Sequence, residues 1–213
     1  MTTLSSCLHN VGLSERRFSD FLLFSVTFAE LAFLVRFTPG FTVVDWIYIS
    51  QHLLVLAIAF TRRPPLVQDH SLVSGAAVVG AYAYPYAQMS YLESMPGEPV
   101  WPTGGLVLVT IAAFLSLASL LSLGRSFGVR PALRSLATKG PYRFVRHPMY
   151  LSYVIGDIGY NLQEWNAGTV ALTLAGWTCL LHRILAEEHV LSRDARWPAF
   201  VARVPHRLLP GIW

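Results

Sequence analysis

Two runs hold the residues best able to do chemistry: Gly140-Pro141-Tyr142-Arg143-Phe144-Val145-Arg146-His147-Pro148-Met149-Tyr150 and Arg183-Ile184-Leu185-Ala186-Glu187-Glu188. Both sit at the ends of apolar stretches, where insertion into a bilayer penalises charge, so charged groups kept there are functional-site candidates. Pro148 suits the first turn of a helix, because its missing N–H is not needed there. A helix starting at Pro148 aims its free amides and positive dipole end at the basic loop 124–146, a ready site for a carboxylate or phosphate. At helical spacing His147, Tyr150, Val154, Asp157 and Asn161 share roughly one face. Asp157 stands out, since an acid that deep in an apolar helix needs a partner or a cavity.

In the second run, Arg183 and Glu187 are four residues apart on one helix face, with Glu188 one step round. An exposed ion pair at this spacing contributes only a few tenths of a kcal/mol. Two adjacent acids near a helix C-terminus also oppose the helix dipole, which points to use of the acids rather than to simple pairing. His147 read alone fits an interfacial histidine bonded to backbone equally well, and Tyr150 alone fits an interfacial tyrosine. Glu30, Gln51 and His52 read as interhelical hydrogen-bonding groups or as cavity lining.

The elements that carry these residues are membrane helices. With 213 residues, 54% hydrophobic and 13% charged, and a mean hydropathy of +0.47, the composition is not that of a soluble globular protein. Six apolar segments can be drawn, over 18–37, 44–60, 71–92, 103–123, 148–163 and 167–186, most near the length that crosses the hydrocarbon. The fifth is short, and the last two lie close enough to form a tight hairpin. The expected fold class is therefore all-α, a polytopic membrane bundle of about six apolar helices. Six crossings put nearly all Arg and Lys on one side, with Arg36 opposite among Asp45, Glu93, Glu98 and Glu164. That bias predicts a multi-pass protein with both termini, and both motif-bearing ends, in the cytoplasm. The basic residues flank apolar runs and form no basic-aromatic groove, so nucleic acid is not an expected partner. Cys7 and Cys179 are far apart, and no spacing suggests a metal site. No obligate protein partner is evident.

Taken in order, Gly-Pro-Tyr-Arg, Arg-His-Pro-x-Tyr and Arg-x-x-x-Glu-Glu resemble the isoprenylcysteine carboxyl methyltransferase family and the related integral-membrane phospholipid methyltransferases. The resemblance covers roughly 122–213, from Ser122-Leu123-Gly124-Arg125-Ser126-Phe127-Gly128 to Trp213. It implies helices over 1–123 as scaffold and 124–213 as the cofactor and catalytic region, within one integrated domain. It also implies S-adenosyl-L-methionine held between the last two helices and the C-terminal stretch, above a tunnel open to lipid. Carried over, His147 and Tyr150 contact the cofactor's amino-acid end, and Gly140, Pro141 and Tyr142 shape the pocket. Glu187 or Glu188 reaches the ribose or adenine side, while Arg183 and Glu188 lie nearest the methyl transfer. Tyr142 or Tyr150 faces the sulfonium. Trp197 and Phe200 stand where the family commonly has tyrosines, and Asp157 matches no family position. The implied activity is methylation of a lipophilic or lipid-anchored acceptor: an isoprenylcysteine-like carboxylate, a lipid amine or a thiol. The alternatives are an NADPH-dependent membrane reductase of the sterol-reductase type and a non-enzymatic membrane binding subunit.

Overall fold

The computed structural model describes residues 42–211 and Trp213, together with individual helical residues between Phe21 and Arg36. The first apolar segment, Glu30, Cys7 and the N-terminal arginines fall wholly or mostly outside the described residues. From there the chain runs through α1 (Val43–Thr61), β1 (Val67–Gln68), α2 (Leu72–Ser94), α3 (Pro102–Leu123), a 3₁₀ turn at Gly124–Ser126 and β2 (Ala132–Leu133). A second 3₁₀ turn at Gly140–Arg143 leads into α4 (Pro148–Gln163), α5 (Ala167–Leu191) and the short α6 (Trp197–Arg203).

The helix starts follow local chemistry. Thr42 and Asp45 form a reciprocal capping box at α1, with the Thr42 amide donating to Asp45 Oδ2 at 2.7 Å. Ser71 caps α2 and Asn166 caps α5, each accepting a backbone N–H. Pro102 and Pro148 open α3 and α4. Gly140 has φ +58°, a left-handed conformation that costs a Cβ-bearing residue, and it starts the 3₁₀ turn before α4.

Among the described residues, three helices are long and apolar enough to cross a membrane: Val43–Thr61, Pro102–Ser126 and Ala167–Leu191. Of the six segments drawn from sequence, the first lies mostly outside the described residues, and two more fall short for identifiable reasons. The 16 residues of α4 span only about 24 Å, short of the hydrocarbon thickness. The 23 residues of α2 are long enough but carry serines, tyrosines and Gln88 among the apolar ones. The chain is an integral membrane protein whose bundle also holds a short and a polar helix, shielded by neighbours.

The last two helices are joined by a short turn but do not lie along one another. α4 packs mainly on α3, and α5 mainly on α2. Gly105 and Gly159 let α3 and α4 approach closely, and a Cβ on Gly159 would fall 2.7 Å from the Gly105 carbonyl oxygen. Polar side chains tie the remaining pairs. Gln51 of α1 donates to the Ala113 carbonyl at 2.9 Å and accepts from Ser116 of α3 at 3.0 Å. Gln88 of α2 donates to Thr173 of α5 at 2.6 Å, and Asn161 of α4 donates to the same hydroxyl at 2.9 Å. These are the interhelical roles expected of buried amides in a bundle.

The two ends differ. At one, Glu98 and Trp165 exchange backbone hydrogen bonds of 2.8 Å. The other carries a cap: β1 pairs antiparallel with β2, and the Arg63 amide donates to the Arg125 carbonyl at 2.9 Å. There the C-terminal stretch lies against the start of α4, with the amides of Arg146 and His147 donating to His206 and Arg207, both at 2.9 Å.

Gly159→Val is expected to force α3 and α4 apart, because its nearest neighbour is the Gly105 backbone carbonyl, with the Leu108 and Val109 side chains crowding the same space. Overpacking of this kind costs about 1–3 kcal/mol, read as a lowered unfolding midpoint of the detergent-purified protein, whereas Gly156→Ala, whose Cβ meets Ala112 at an ordinary 3.5 Å, should be neutral.

Candidate active site

His147 occupies the N-cap of α4 with Arg146 before it, and both are almost fully buried. What they face is the last two turns of α5. That helix runs to Leu191, five residues beyond the apolar run, so Glu187 and Glu188 continue its helical geometry instead of trailing from it.

The two glutamates have different surroundings. Arg146 Nε donates to Glu188 Oε1 at 2.8 Å, and His147 Nε2 lies 3.2 Å from the same oxygen. Arg207 Nε donates to Glu188 Oε2 at 2.9 Å. Glu188 is thus engaged on both oxygens by two guanidiniums and an imidazole, which offsets its unfavourable place near a helix C-terminus. Glu187 accepts a short hydrogen bond from the Tyr150 hydroxyl, and its other oxygen is 3.8 Å from His147 Nδ1.

Arg183, one turn before Glu187, is only 5% exposed. Its NH2 group donates to the Val129 carbonyl at 3.2 Å. The guanidinium lies over the rings of Tyr82 and Tyr150, at 5.4 and 5.3 Å from their centroids. Its Nε has no hydrogen-bond partner among the described residues.

Two cavities meet at this residue. The first lies under the cap, with about 90 Å³ of free space, lined by Tyr142, His147, Tyr150, Glu187, Trp197 and Phe200 among others. The second is an elongated cavity of about 510 Å³ within the bundle, reaching from Met149 and Phe127 at the cap end to Val44 and Asp45 at the far end. Tyr82, Phe127, Met149, Tyr153 and Arg183 line both. The first cavity is polar and aromatic. Burial, with the nearby Glu187 charge second, pushes the Tyr142 phenol well above its ordinary pKa, so it stays a neutral hydrogen-bonding group.

Of the residues singled out from sequence, Tyr142, His147, Tyr150, Arg183 and Glu187 line the first cavity. Gly140 and Pro141 shape the 3₁₀ turn behind Tyr142 and do not themselves line it. Glu188 lines neither cavity; it holds the residues that do. Tyr82, Tyr153, Arg130 and Arg134 complete the lining and escaped the sequence reading. Tyr153 was legible as the residue three after Tyr150 on the same helix face. Nothing in sequence marks Tyr82 among the several tyrosines of α2. Among the described residues no cluster of His, Cys, Asp and Glu is arranged to hold a metal ion.

The model of the isoprenylcysteine carboxyl methyltransferase family matches residues 105–193, a range that includes His147, Arg183 and both glutamates. Protein-S-isoprenylcysteine O-methyltransferase B of Arabidopsis thaliana is 23% identical over 182 residues, covering 80% of this chain and 91% of the relative. A probable protein-S-isoprenylcysteine O-methyltransferase of Oryza sativa subsp. indica is 31% identical over 151 residues, covering 65% of this chain and 78% of the relative.

Glu188→Gln should leave three cationic or imidazole groups uncompensated beside one another. Breaking a buried ion pair in this way costs about 3 kcal/mol or more, expected as a clear fall in the unfolding midpoint, with Glu187→Gln affecting stability less.

Proposed function

This chain belongs to the isoprenylcysteine carboxyl methyltransferase family, and from that premise we propose that it methylates the carboxylate of a lipophilic acceptor using S-adenosyl-L-methionine. The observation that carries the reading is Arg183, a buried cation that lines both cavities and spends one N–H on the Val129 carbonyl. A carboxylate arriving along the bundle cavity would accept from the rest of the guanidinium fork, which matches its two oxygens. An amine or thiol nucleophile would not complement that charge.

The first cavity has the donor set that S-adenosyl-L-methionine requires. Glu187 supplies a carboxylate, the amides at the start of α4 supply donors for an anionic group, and Tyr150, Tyr153, Trp197 and Phe200 supply aromatic faces for a cation and a flat base. When bound, this cofactor supplies an electrophilic methyl on a sulfonium sulfur. The free space of about 90 Å³ is below the roughly 300 Å³ of ordinary ligand pockets. A cofactor of that size would therefore need part of the lining to shift on binding.

The protein's own part is positional. Arg183, held by Val129 and two tyrosines, fixes the acceptor carboxylate where the cavities join. An acceptor held there as a carboxylate would already be the nucleophile, so no residue of the chain would have to take a proton from it. Holding the reacting atoms about 3 Å apart and in line supplies much of the acceleration. Tyr142 and Tyr150 exclude water from the junction, and His147 with Glu188 keeps the start of α4 against the C-terminal stretch. With its arginines concentrated at the cap, the protein is oriented with the site on the cytoplasmic side.

Two outcomes test this reading. Arg183→Ala should lower kcat/KM for a lipophilic thioether carboxylate by about a hundredfold or more, the scale of losing one charge-stabilising donor. Its affinity for S-adenosylhomocysteine, measured by calorimetry, should change far less, and the opposite pattern would move Arg183 into the cofactor site. His147→Ala should weaken S-adenosylhomocysteine binding. Saturable binding of NADPH instead of S-adenosylhomocysteine to the unmodified protein would overturn the methyltransferase reading.

A further inference from the structure

The bundle cavity is not the featureless hydrocarbon sleeve that a plain alkyl or isoprenyl chain needs. Asp157 of α4 lines it about midway, with Tyr48 of α1, Tyr84 of α2 and Tyr160 of α4 on the surrounding walls. The Tyr84 hydroxyl donates to Asp157 Oδ2 at 2.9 Å and reaches Oδ1 at 3.1 Å, and Trp177 Nε1 donates to Oδ2 at 2.7 Å. A carboxylate offers about four acceptor positions. A single tyrosine proton shared across both oxygens and an indole N–H leave capacity on Oδ1.

No cation pairs with Asp157 among the described residues, and every side chain that bonds its carboxylate there is neutral. A carboxylate kept within a membrane bundle with only neutral donors is a costly arrangement. The buried amides Gln51, Gln88 and Asn161 are neutral and engaged in helix-to-helix bonds, and of these only Gln51 and Gln88 line the cavity. Asp157 differs: it combines negative charge, aromatic walls and open acceptor capacity. Tyrosine rings around an acidic group are the chemistry that recognises an alkylammonium, by cation–π attraction and a charge-assisted hydrogen bond.

We propose that Asp157, with Tyr48, Tyr84 and Tyr160, forms a binding subsite for a protonated amine on the hydrophobic chain of the acceptor. This rests on the proposed methyl-transfer reading for the identity of the acceptor's other end. Trp177, bonded to Asp157, lies six residues before Arg183 on α5, a separation of about 9 Å along the helix. The acceptor class is therefore an amphiphile with a carboxylate at one end and an ammonium about 9 Å further along its chain, in place of an all-hydrocarbon tail. Arg183 selects the anion and Asp157 the cation, so a chain of the wrong length or polarity satisfies only one of them.

Binding tests the subsite independently of catalysis. Octylamine and octanol are titrated into the detergent-purified full-length protein, followed by calorimetry. The subsite predicts saturable octylamine binding stronger than that of octanol, weakened about tenfold or more in Asp157→Asn, which keeps an acceptor for Tyr84 and Trp177 while removing the charge. Tyr48→Leu, which touches neither of those hydrogen bonds, serves as the second variant and should weaken octylamine severalfold without affecting octanol. Equal binding of the two ligands, or octylamine affinity unchanged in both variants, overturns the proposal. Turnover is then compared between S-octyl-N-acetylcysteine and its counterpart bearing an amine on the third carbon of the octyl chain from sulfur, the position that matches the separation of the two charges. A higher kcat/KM for the amine, lost in Asp157→Asn, completes the assignment, and a preference for the plain chain in the unmodified protein overturns it. Octylamine binding with methylation of neither thioether would retain the subsite and overturn the proposed reaction.

Discussion

The Glu188 carboxylate is where three separate pieces of chain are joined. It belongs to α5, while Arg146 and His147 precede α4 and Arg207 comes from the C-terminal stretch. Each guanidinium would be costly to bury alone, and so would the acid; together they form a charge-assisted cluster that is tolerable at the edge of a bilayer. The backbone reinforces it, since the amides of Arg146 and His147 bond the carbonyls of His206 and Arg207. The junction adds to the apolar packing of Val129, Leu133, Val145, Phe200 and Val204, and it fixes the start of α4 against the end of α5 and the C-terminal stretch. The charges at the motif are in this sense structural first. They fix the entry of α4, and that entry aims His147, Tyr150 and the free helix amides.

Below the cap the bundle is held by a different device. Small residues bring α3 and α4 together, while amide and hydroxyl side chains stitch α2 to α4 and α5. Lipid offers no hydrophobic drive between helices, so packing and hydrogen bonds have to supply the association. Pairing α4 with α3 and α5 with α2 leaves the two helices that carry the site with little packing on one another, joined at their cap ends by polar side chains. That separation makes room for the cavities. A tight hairpin would have closed the same space with side chains.

Much of this was readable from sequence, and the parts that were not have physical causes. Apolar runs bounded by Pro and polar caps located five of the helices closely, because length and hydropathy are local properties. The extension of α5 to Leu191 escaped that reading because the last two turns are charged, and only the tertiary partners Arg146 and Arg207 make a charged helical end stable there. Helical spacing paired His147 with Tyr150 and Arg183 with Glu187, while the grouping of both pairs with Tyr142 came from the family resemblance that the motif order carries. Tyr82 could not be found so, since its relevance depends on α2 lying against α5. The division of labour between the two adjacent glutamates was likewise invisible: one residue of helical rotation turns Glu187 into the cavity and Glu188 into the ion cluster. Asp157 was conspicuous in sequence as an acid in an apolar helix, but its tyrosine and tryptophan partners come from two other helices.

Arg183 brings the two halves of the molecule into one problem of charge. An arginine side chain cannot shed its proton in a protein, so a buried one has to be solvated by what surrounds it. Here the Tyr82 and Tyr150 rings and the Val129 carbonyl do part of that, and one N–H is left over. An anion reaching the junction from the bundle cavity completes the shell, whereas a cation or a neutral alkyl end does not. On the proposed reading, the sign of the acceptor's reacting group would be chosen by the residue that also fixes its position. Asp157 further down the same cavity makes its two ends opposite in charge. A long amphiphile entering from lipid would then be oriented by electrostatics before any contact with the cap, and the low dielectric of the surrounding bundle would strengthen that orientation.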